Sequence, residues 1–482
     1  MYILDKIDNI FGNLNESGIR NIRQWAKKFD KAVGYYHQDT DGVTSALAFK
    51  NYLENNGIKT VKVHMIQYGG RAFAVDKPPK GTLVWMVDFA LSKPQLHLWT
   101  DHHDSQHLGS PEQASTSFVS APANATHISM NISPREIFPS NDLKVISTVD
   151  SADFASQGLT PDDIMRSAFK LNKSISVKNN HKMMGLVTNS LLLANKNKKG
   201  FLDELVMSAN PSLISMYNTI VKLSKKYGYA PPEEIEKGQE AYNQAQVKKI
   251  VTGKIGDIKS LKSGQSILIN NVVCQYGGGV MGMNKGMQYN RYTVFKNHPD
   301  ANFLCMIWPM GLLQISANPF KSGKSPIHLG DLLLKKVLGK YKSMLQKKMV
   351  TLDNLKRIYE MDIEKKGSKD SFGFTFIDLI NTFKPNQIQG VDIEKTGKWK
   401  DIVNDITNKQ WGKLSYKQKN ILKKISISAY DIIMSQSGGH YSISNLTNLN
   451  LLGKGYVDTM KKIAMDAVKE MSKLKLGKEE EK

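Results

Sequence analysis

Short apolar runs alternate with amphipathic stretches along the first third of the chain. Residues 1–30 place Ile3, Ile7, Ile10 and Phe11 at helical spacing. The run 32–36 reads as a buried strand and ends in His37. Gly42 then opens a predicted helix over 43–55, which Asn56 and Gly57 close. Strands are expected at 60–66, 82–87 and 96–99, the last two running into Asp88 and Asp101. Strand, helix, strand with polar residues at the strand ends predicts a parallel α/β sheet. From 156 to 225 the pattern is mainly helical, notably over 183–195 and 202–207. Pro231 and Pro232 break it, and 233–250 reads as a polar helix connecting two domains. Farther on, 266–273, 303–308 and 312–316 read as strands and 327–337 as a helix. The stretch 275–282 is glycine-rich, but no Gly-Lys-Ser/Thr follows it, so it is not a P-loop.

The polar residues at these strand ends are of one kind. They are His37, Asp39 and Asp41, then Asp88, then Asp101, His102 and His103, with Asp150 after a later apolar run. In parallel sheets ligands sit beyond the carboxyl ends of the strands. If the segment after 36 stays extended, His37, Asp39 and Asp41 point to one side. Gly42 would then permit a tight turn and a close approach of substrate. Five carboxylates in one crevice repel one another unless cations neutralise them. Hard oxygen donors mixed with imidazoles suit Mn²⁺ or Mg²⁺, and the histidines favour Mn²⁺. Two such ions about 3.5–4 Å apart can activate a bridging water and clamp a phosphate in line with it.

Charge changes the picture for the rest of the chain. The net charge is +22, yet residues 1–160 balance 15 Lys and Arg against 16 Asp and Glu. The basic excess therefore lies downstream of an acidic site, as suits a polyanionic substrate drawn toward metal ions. Lys outnumbers Arg 59 to 7, which an AT-rich genome such as a phage's also produces. A chain of 482 residues is expected to form two or more domains. No apolar run reaches 18 residues, and the first residues show no secretory pattern, so no membrane partner is expected. Two cysteines, Cys274 and Cys305, make neither a disulfide framework nor a Cys-rich zinc site. The expectation is a cytoplasmic protein, in a bacterium or a phage-infected host, without a disulfide-linked partner.

The order and spacing of His37-x-Asp39-x-Asp41-Gly42, Asp88, Asp101-His102-His103 and Asp150 resemble the DHH phosphoesterases. That superfamily includes RecJ-type exonucleases, nano-RNases, cyclic-dinucleotide phosphodiesterases and manganese pyrophosphatases. The resemblance spans roughly residues 30–155. It implies two divalent ions, Mn²⁺ before Mg²⁺. His37 and Asp39 would bind the first, Asp41, His102 and Asp150 the second, and Asp88 both. His103 would contact the scissile phosphate, and Asp101 would orient a histidine. Arg71, in the turn Gly69-Gly70-Arg71, would hold a phosphate. Ser437-Gly438-Gly439-His440 resembles the substrate-binding loop of the domain that accompanies many DHH domains. There Gly438, Gly439 and His440 would face the metals across a cleft. Asn318 stands where that domain carries an Arg.

The implied fold is α/β: a parallel-sheet DHH domain joined by a helical linker to a smaller α/β C-terminal substrate-binding domain. The expected bounds are 1–225, a linker at 226–255, the second domain at 256–455 and a terminal helix and tail at 456–482. A Lys-rich helical insertion falls at about 340–430. The implied function is a metal-dependent phosphodiester hydrolase, foremost an exonuclease releasing mononucleotides from single-stranded DNA or RNA. The alternatives are a phosphodiesterase of short oligonucleotides or cyclic dinucleotides, and a non-catalytic nucleic-acid-binding module.

Overall fold

The computed structural model describes residues 25–37, 39–66, 80–89, 97–102, 115–118, 121–133, 136–161, 200–232, 234, 238, 241, 244–245, 247–277, 291–308, 312–321, 334–347, 411–423, 442–444 and 455–474. They form two compact units that part between Tyr242 and Asn243.

The first unit is a five-stranded parallel sheet with helices packed on it. Its strands are β1 (Lys31–His37), β2 (Lys59–Ile66), β3 (Leu83–Val87), β4 (Leu98–Asp101) and β5 (Ser115–Phe118), in the order β2-β1-β3-β4-β5. All four pairings are parallel. β3, Leu-Val-Trp-Met-Val, is buried throughout, as a strand covered on both faces must be. Gly34 on β1 makes room for the Trp85 ring on β3, since a Cβ at Gly34 would lie 2.1 Å from it. Helix α1 (Thr40–Asn55) connects β1 to β2 and buries Val43, Ala46, Leu47, Phe49 and Leu53 against the sheet.

Two helices follow the sheet on its path. A short α2 (Asn124–His127) runs into a π-helical turn, Ile128–Ile132, and α3 spans Ser140–Asp150. Helices α4 (Phe201–Ser208) and α5 (Leu213–Tyr227) complete the layer. Asp203 ties α4 to the sheet, accepting from the Tyr36 hydroxyl and the Met65 N–H, each at 2.9 Å. Asp142 ties α5 to α3, accepting from the Leu213 N–H at 2.9 Å.

Strand order reverses between β1 and β3, because β2 lies on one side of β1 while β3, β4 and β5 lie on the other. Such a reversal leaves a crevice at the strand C-termini. Register then fixes what lines it. Tyr36 pairs with Val87, and Val87 with Thr100. His37, Asp88 and Asp101, each one residue farther along, therefore stand in a row on that edge.

The second unit holds a six-stranded mixed sheet. Its strands are β6 (Val251–Thr252), β7 (Ser266–Ile269), β8 (Val272–Tyr276), β9 (Phe303–Trp308), β10 (Leu312–Ala317) and β11 (Ser442–Ser444), ordered β11-β10-β9-β8-β7-β6. The single strand expected at 266–273 is a hairpin instead. Asn270 and Asn271 form its turn, and Asn270 takes φ 51°, a conformation asparagine tolerates. A last helix, α6 (Tyr456–Met471), packs Ile463, Ala464, Ala467 and Val468 inward. Its buried Lys461 donates to the carbonyls of Lys259 (3.0 Å) and Leu261 (2.7 Å). Among the described residues no helix is long and apolar enough to cross a membrane.

The extended run expected from His37 to Asp41 does not form. Asp39 instead caps α1, its Oδ1 accepting from the Gly42 N–H at 2.8 Å, so the helix starts at Thr40. The role of Gly42 changes with it. A Cβ there would lie 2.2 Å from the His37 carbonyl oxygen. Glycine thus lets the first turn of α1 pack against the end of β1, and no approach by substrate is needed to explain it. The obstacle is backbone and cannot rotate away, so Gly42→Ala should cost about 1–3 kcal/mol, as overpacking does. Urea denaturation measures this, and a loss under about 0.5 kcal/mol would remove the argument.

Candidate metal centre

Five elements deliver the site. β1 ends in His37; α1 brings Asp39 as its cap and Asp41 in its first turn. Asp88 follows β3 directly; Asp101 is the last residue of β4 and His102 follows it. Asp150 is the last residue of α3, so it arrives from a helix rather than a strand.

These side chains gather in three overlapping groups. His37, Asp39 and Asp88 offer ligand atoms within 4.8 Å of one another, and so do Asp41, His102 and Asp150, and Asp88, Asp101 and His102. Asp88 links the first group to His102. Its Oδ2 is 3.9 Å from His37 Nδ1, while its Oδ1 is 3.4 Å from His102 Nε2. His37 Nδ1 also lies 2.7 Å from Asp39 Oδ2. His102 Nε2 faces Asp41 Oδ2 at 3.3 Å and Asp150 Oδ2 at 3.5 Å. Asp88 has φ 52°, the left-handed region that Asp and Asn enter more readily than other residues. Its N–H still donates to the Thr100 carbonyl at 3.0 Å, so the bend occurs with the strand edge intact.

The surroundings set the orientation of the ligands. His102 Nδ1 is 2.8 Å from the Ala121 carbonyl, which can only accept. Nδ1 therefore carries a proton, and Nε2, which faces the three carboxylates, is the atom left to a metal. Asp101 acts on the same residue through the backbone, its Oδ1 accepting from the His102 N–H at 2.7 Å. Asp41 is held by three donors: the N–H groups of Asn124 (2.6 Å) and Ala125 (3.0 Å) and the Ser45 hydroxyl (3.3 Å). The sequence reading passed over Ala121, Asn124 and Ser45. Pro122 followed by Asn124 was a usable signal for a helix start.

Charge is under stress here. Burial, then repulsion from Asp41, Asp39, Asp101 and Asp150, pushes the Asp88 carboxyl well above the usual carboxylate range. Asp150 is pushed well up by loss of water and then by Asp41, Asp39 and Asp101. Burial raises Asp41 despite the His102 ring and the Ala125 N–H. Asp39 goes the other way: loss of water opposes its charge, but His37 and the Gly42 N–H outweigh that and lower it. Oxygen-rich donors with two imidazoles, carrying negative charge that the fold itself disfavours, fit divalent cations.

His103, Arg71, Gly438, Gly439 and His440 lie outside the described residues, as does most of 340–430. Asn318, the residue in the place of an expected Arg, is 2% exposed. It donates to the Ala301 carbonyl (2.8 Å) and accepts from the Phe320 N–H (3.0 Å), so its side chain ties the turn after β10 to the segment before β9.

No family model matches the chain, and no curated protein matches it. Solved structures do. RecJ in complex with Mn²⁺ from Thermus thermophilus is 10% identical, with 67% of this chain and 50% of that one covered and a TM-score of 0.36. This chain thus spans half the length of that protein. Exonuclease RecJ bound to manganese is also 10% identical, covering 69% and 86%, at 0.34. The DHH domain of a member of a family of ribosomal proteins is 10% identical, covering 71% and 83%, at 0.38.

The stressed carboxylates have a consequence for stability. A carboxyl whose folded pKa is raised binds protons more tightly in the native state. Between its ordinary value and the raised one, stability therefore falls as pH rises. In metal-free protein this penalty is complete above the raised values and absent below about pH 4. Asp88→Asn removes it at the centre of the cluster and suits the left-handed backbone. The variant should be more stable than the parent when both are metal-free at neutral pH, and the gap should close as pH falls. Urea melts at stepped pH test this; an Asp88→Asn protein less stable than the parent at neutral pH contradicts it.

Proposed function

We propose that this chain is a two-cation phosphodiester hydrolase and that its substrate is single-stranded nucleic acid, degraded from an end to mononucleotides. The observation that carries the reading is the position of Asp88, one oxygen toward the His37–Asp39 group and the other toward Asp41–His102–Asp150. A carboxylate so placed can serve two ions at once. Divalent cations, when bound, polarise a phosphate and lower the pKa of a water. The chain's own residues do the rest. Ala121 and Asn124 hold their ligands before substrate arrives, and buried Trp99, whose Nε1 donates to the Phe89 carbonyl at 2.7 Å, fixes the turn after Asp88. His103 is assigned to the scissile phosphate, Arg71 to a neighbouring one, and Gly438, Gly439 and His440 to the substrate end.

Charge supports a polymer over a small ligand. The basic excess belongs to residues beyond 160, and a cyclic dinucleotide has too few phosphates to use an extended basic surface. End-labelled 20-mers of DNA and RNA, incubated beside a cyclic dinucleotide with Mn²⁺, test the reading. Single-nucleotide products that vanish with a chelator are expected. Turnover of the cyclic dinucleotide alone selects the small-ligand alternative. Strand binding with no product under any divalent ion selects the binding module.

Two further outcomes follow from the same site. Asp88→Ala should lower the rate by more than about 100-fold, and a loss within tenfold, about 1.4 kcal/mol of barrier, would be too small for a shared ligand. Binding of a 20-mer to metal-free protein should weaken with salt, at roughly −0.7 in log K against log[salt] per neutralised phosphate. A flat salt dependence, measured by fluorescence anisotropy, removes the polymer argument.

A further inference from the structure

Asn124 is fully buried beside the site. Its backbone N–H gives Asp41 the shortest of that carboxylate's three hydrogen bonds, 2.6 Å. Its side-chain Nδ2 lies 3.2 Å from Ser45 Oγ and 3.1 Å from Thr100 Oγ1. Ser45 is one turn along α1 from Asp41 and donates to its other oxygen. Thr100 lies on β4, one residue before Asp101 and two before His102, and is itself buried. Three stretches of chain with no covalent reason to keep register thus meet at one amide.

We propose that Asn124 is the positioning residue of the Asp41–His102–Asp150 group, setting the separation of the α1 and β4 ligands through its side chain. The proposal rests on the two-cation reading and assigns the work to one half of the site. Among the contacts described, none runs from Asn124 to His37 or Asp39, and Asp88 is reached only by way of the Thr100 backbone, whose carbonyl accepts from the Asp88 N–H. Loss of the amide should therefore loosen one cation and spare the other. General packing damage around α2 would not make that distinction. Partners that orient a ligand usually change metal affinity by roughly 10–100-fold when removed.

The test is Mn²⁺ titration of the full chain, followed by calorimetry and electron paramagnetic resonance. The parent should bind two ions, with the spectrum of a coupled pair at saturation. Asn124→Ala should keep one ion near the parent affinity and lose at least about tenfold on the second, leaving a single-ion spectrum at intermediate Mn²⁺. Thr100→Val and Thr100→Ser supply the control should Asn124→Ala fold poorly. Valine removes the hydroxyl that Nδ2 meets and should weaken the second ion by a few-fold, while serine keeps it and should restore parent binding. Equal weakening of both ions, or parent-like binding in both Asn124→Ala and Thr100→Val, overturns the proposal. A parent that binds a single ion defeats the two-cation reading instead, so the two failures are distinct.

Discussion

The structure turns on the cost of keeping several carboxylates together. Asp41 and Asp88 are each 1% exposed, Asp150 stands beside them at the solvent edge, and Asp41 and Asp150 both disfavour charge on Asp88. Coulomb repulsion in such a place has to be opposed by the fold unless cations neutralise it. The parallel sheet supplies the opposition. β3 is buried along its whole length, and it carries Asp88 to a place the apolar core holds fixed. A loop would relax away from the repulsion, but the end of a central strand cannot.

The topology explains why this charge accumulates at one point. The reversal of strand order between β1 and β3 opens the crevice, and the pairing of Tyr36 with Val87 brings His37 and Asp88 level. Gly42 then lets α1 start against the backbone of His37, which brings Asp41 in on the far side. Each step is a packing event remote from any chemistry. Together they put one oxygen of Asp88 toward each histidine.

Much of this was legible in the sequence, for identifiable reasons. Apolar runs ending in His37, Asp88 and Asp101 announced strands with polar ends, because a strand covered on both faces leaves little room for other residues. The helix start was missed by a few residues because Asp39 was read as a ligand alone, whereas it also caps α1. β5, Ser-Thr-Ser-Phe, carries no apolar run, so only its pairing with β4 identifies it. Asn270 and Asn271, set between the apolar residues 267–269 and 272–273, were a hairpin signal that reading 266–273 as one strand overrode. Asn124 left no periodic signal at all, since its role comes from contacts 24, 79 and 83 residues away.

The two halves of the site are not built alike. Asp41 is 1% exposed with three donors on its oxygens, and a backbone carbonyl turns the His102 ring. On the other side, 47% of the Asp39 side chain is exposed, and its hydrogen bond belongs to the cap of its own helix. A preorganised set loses little freedom when an ion binds, while an open one must order itself. Asp41 and His102 are thus the better geometric template, and Asp39, like the exposed Asp150, is open to exchange with solvent. Asp88 lies between His37 and His102, one oxygen toward each, and the buried strand β3 holds it there. On the two-cation proposal the shared carboxylate is therefore in place before either ion binds, and neither position needs the other occupied in order to form.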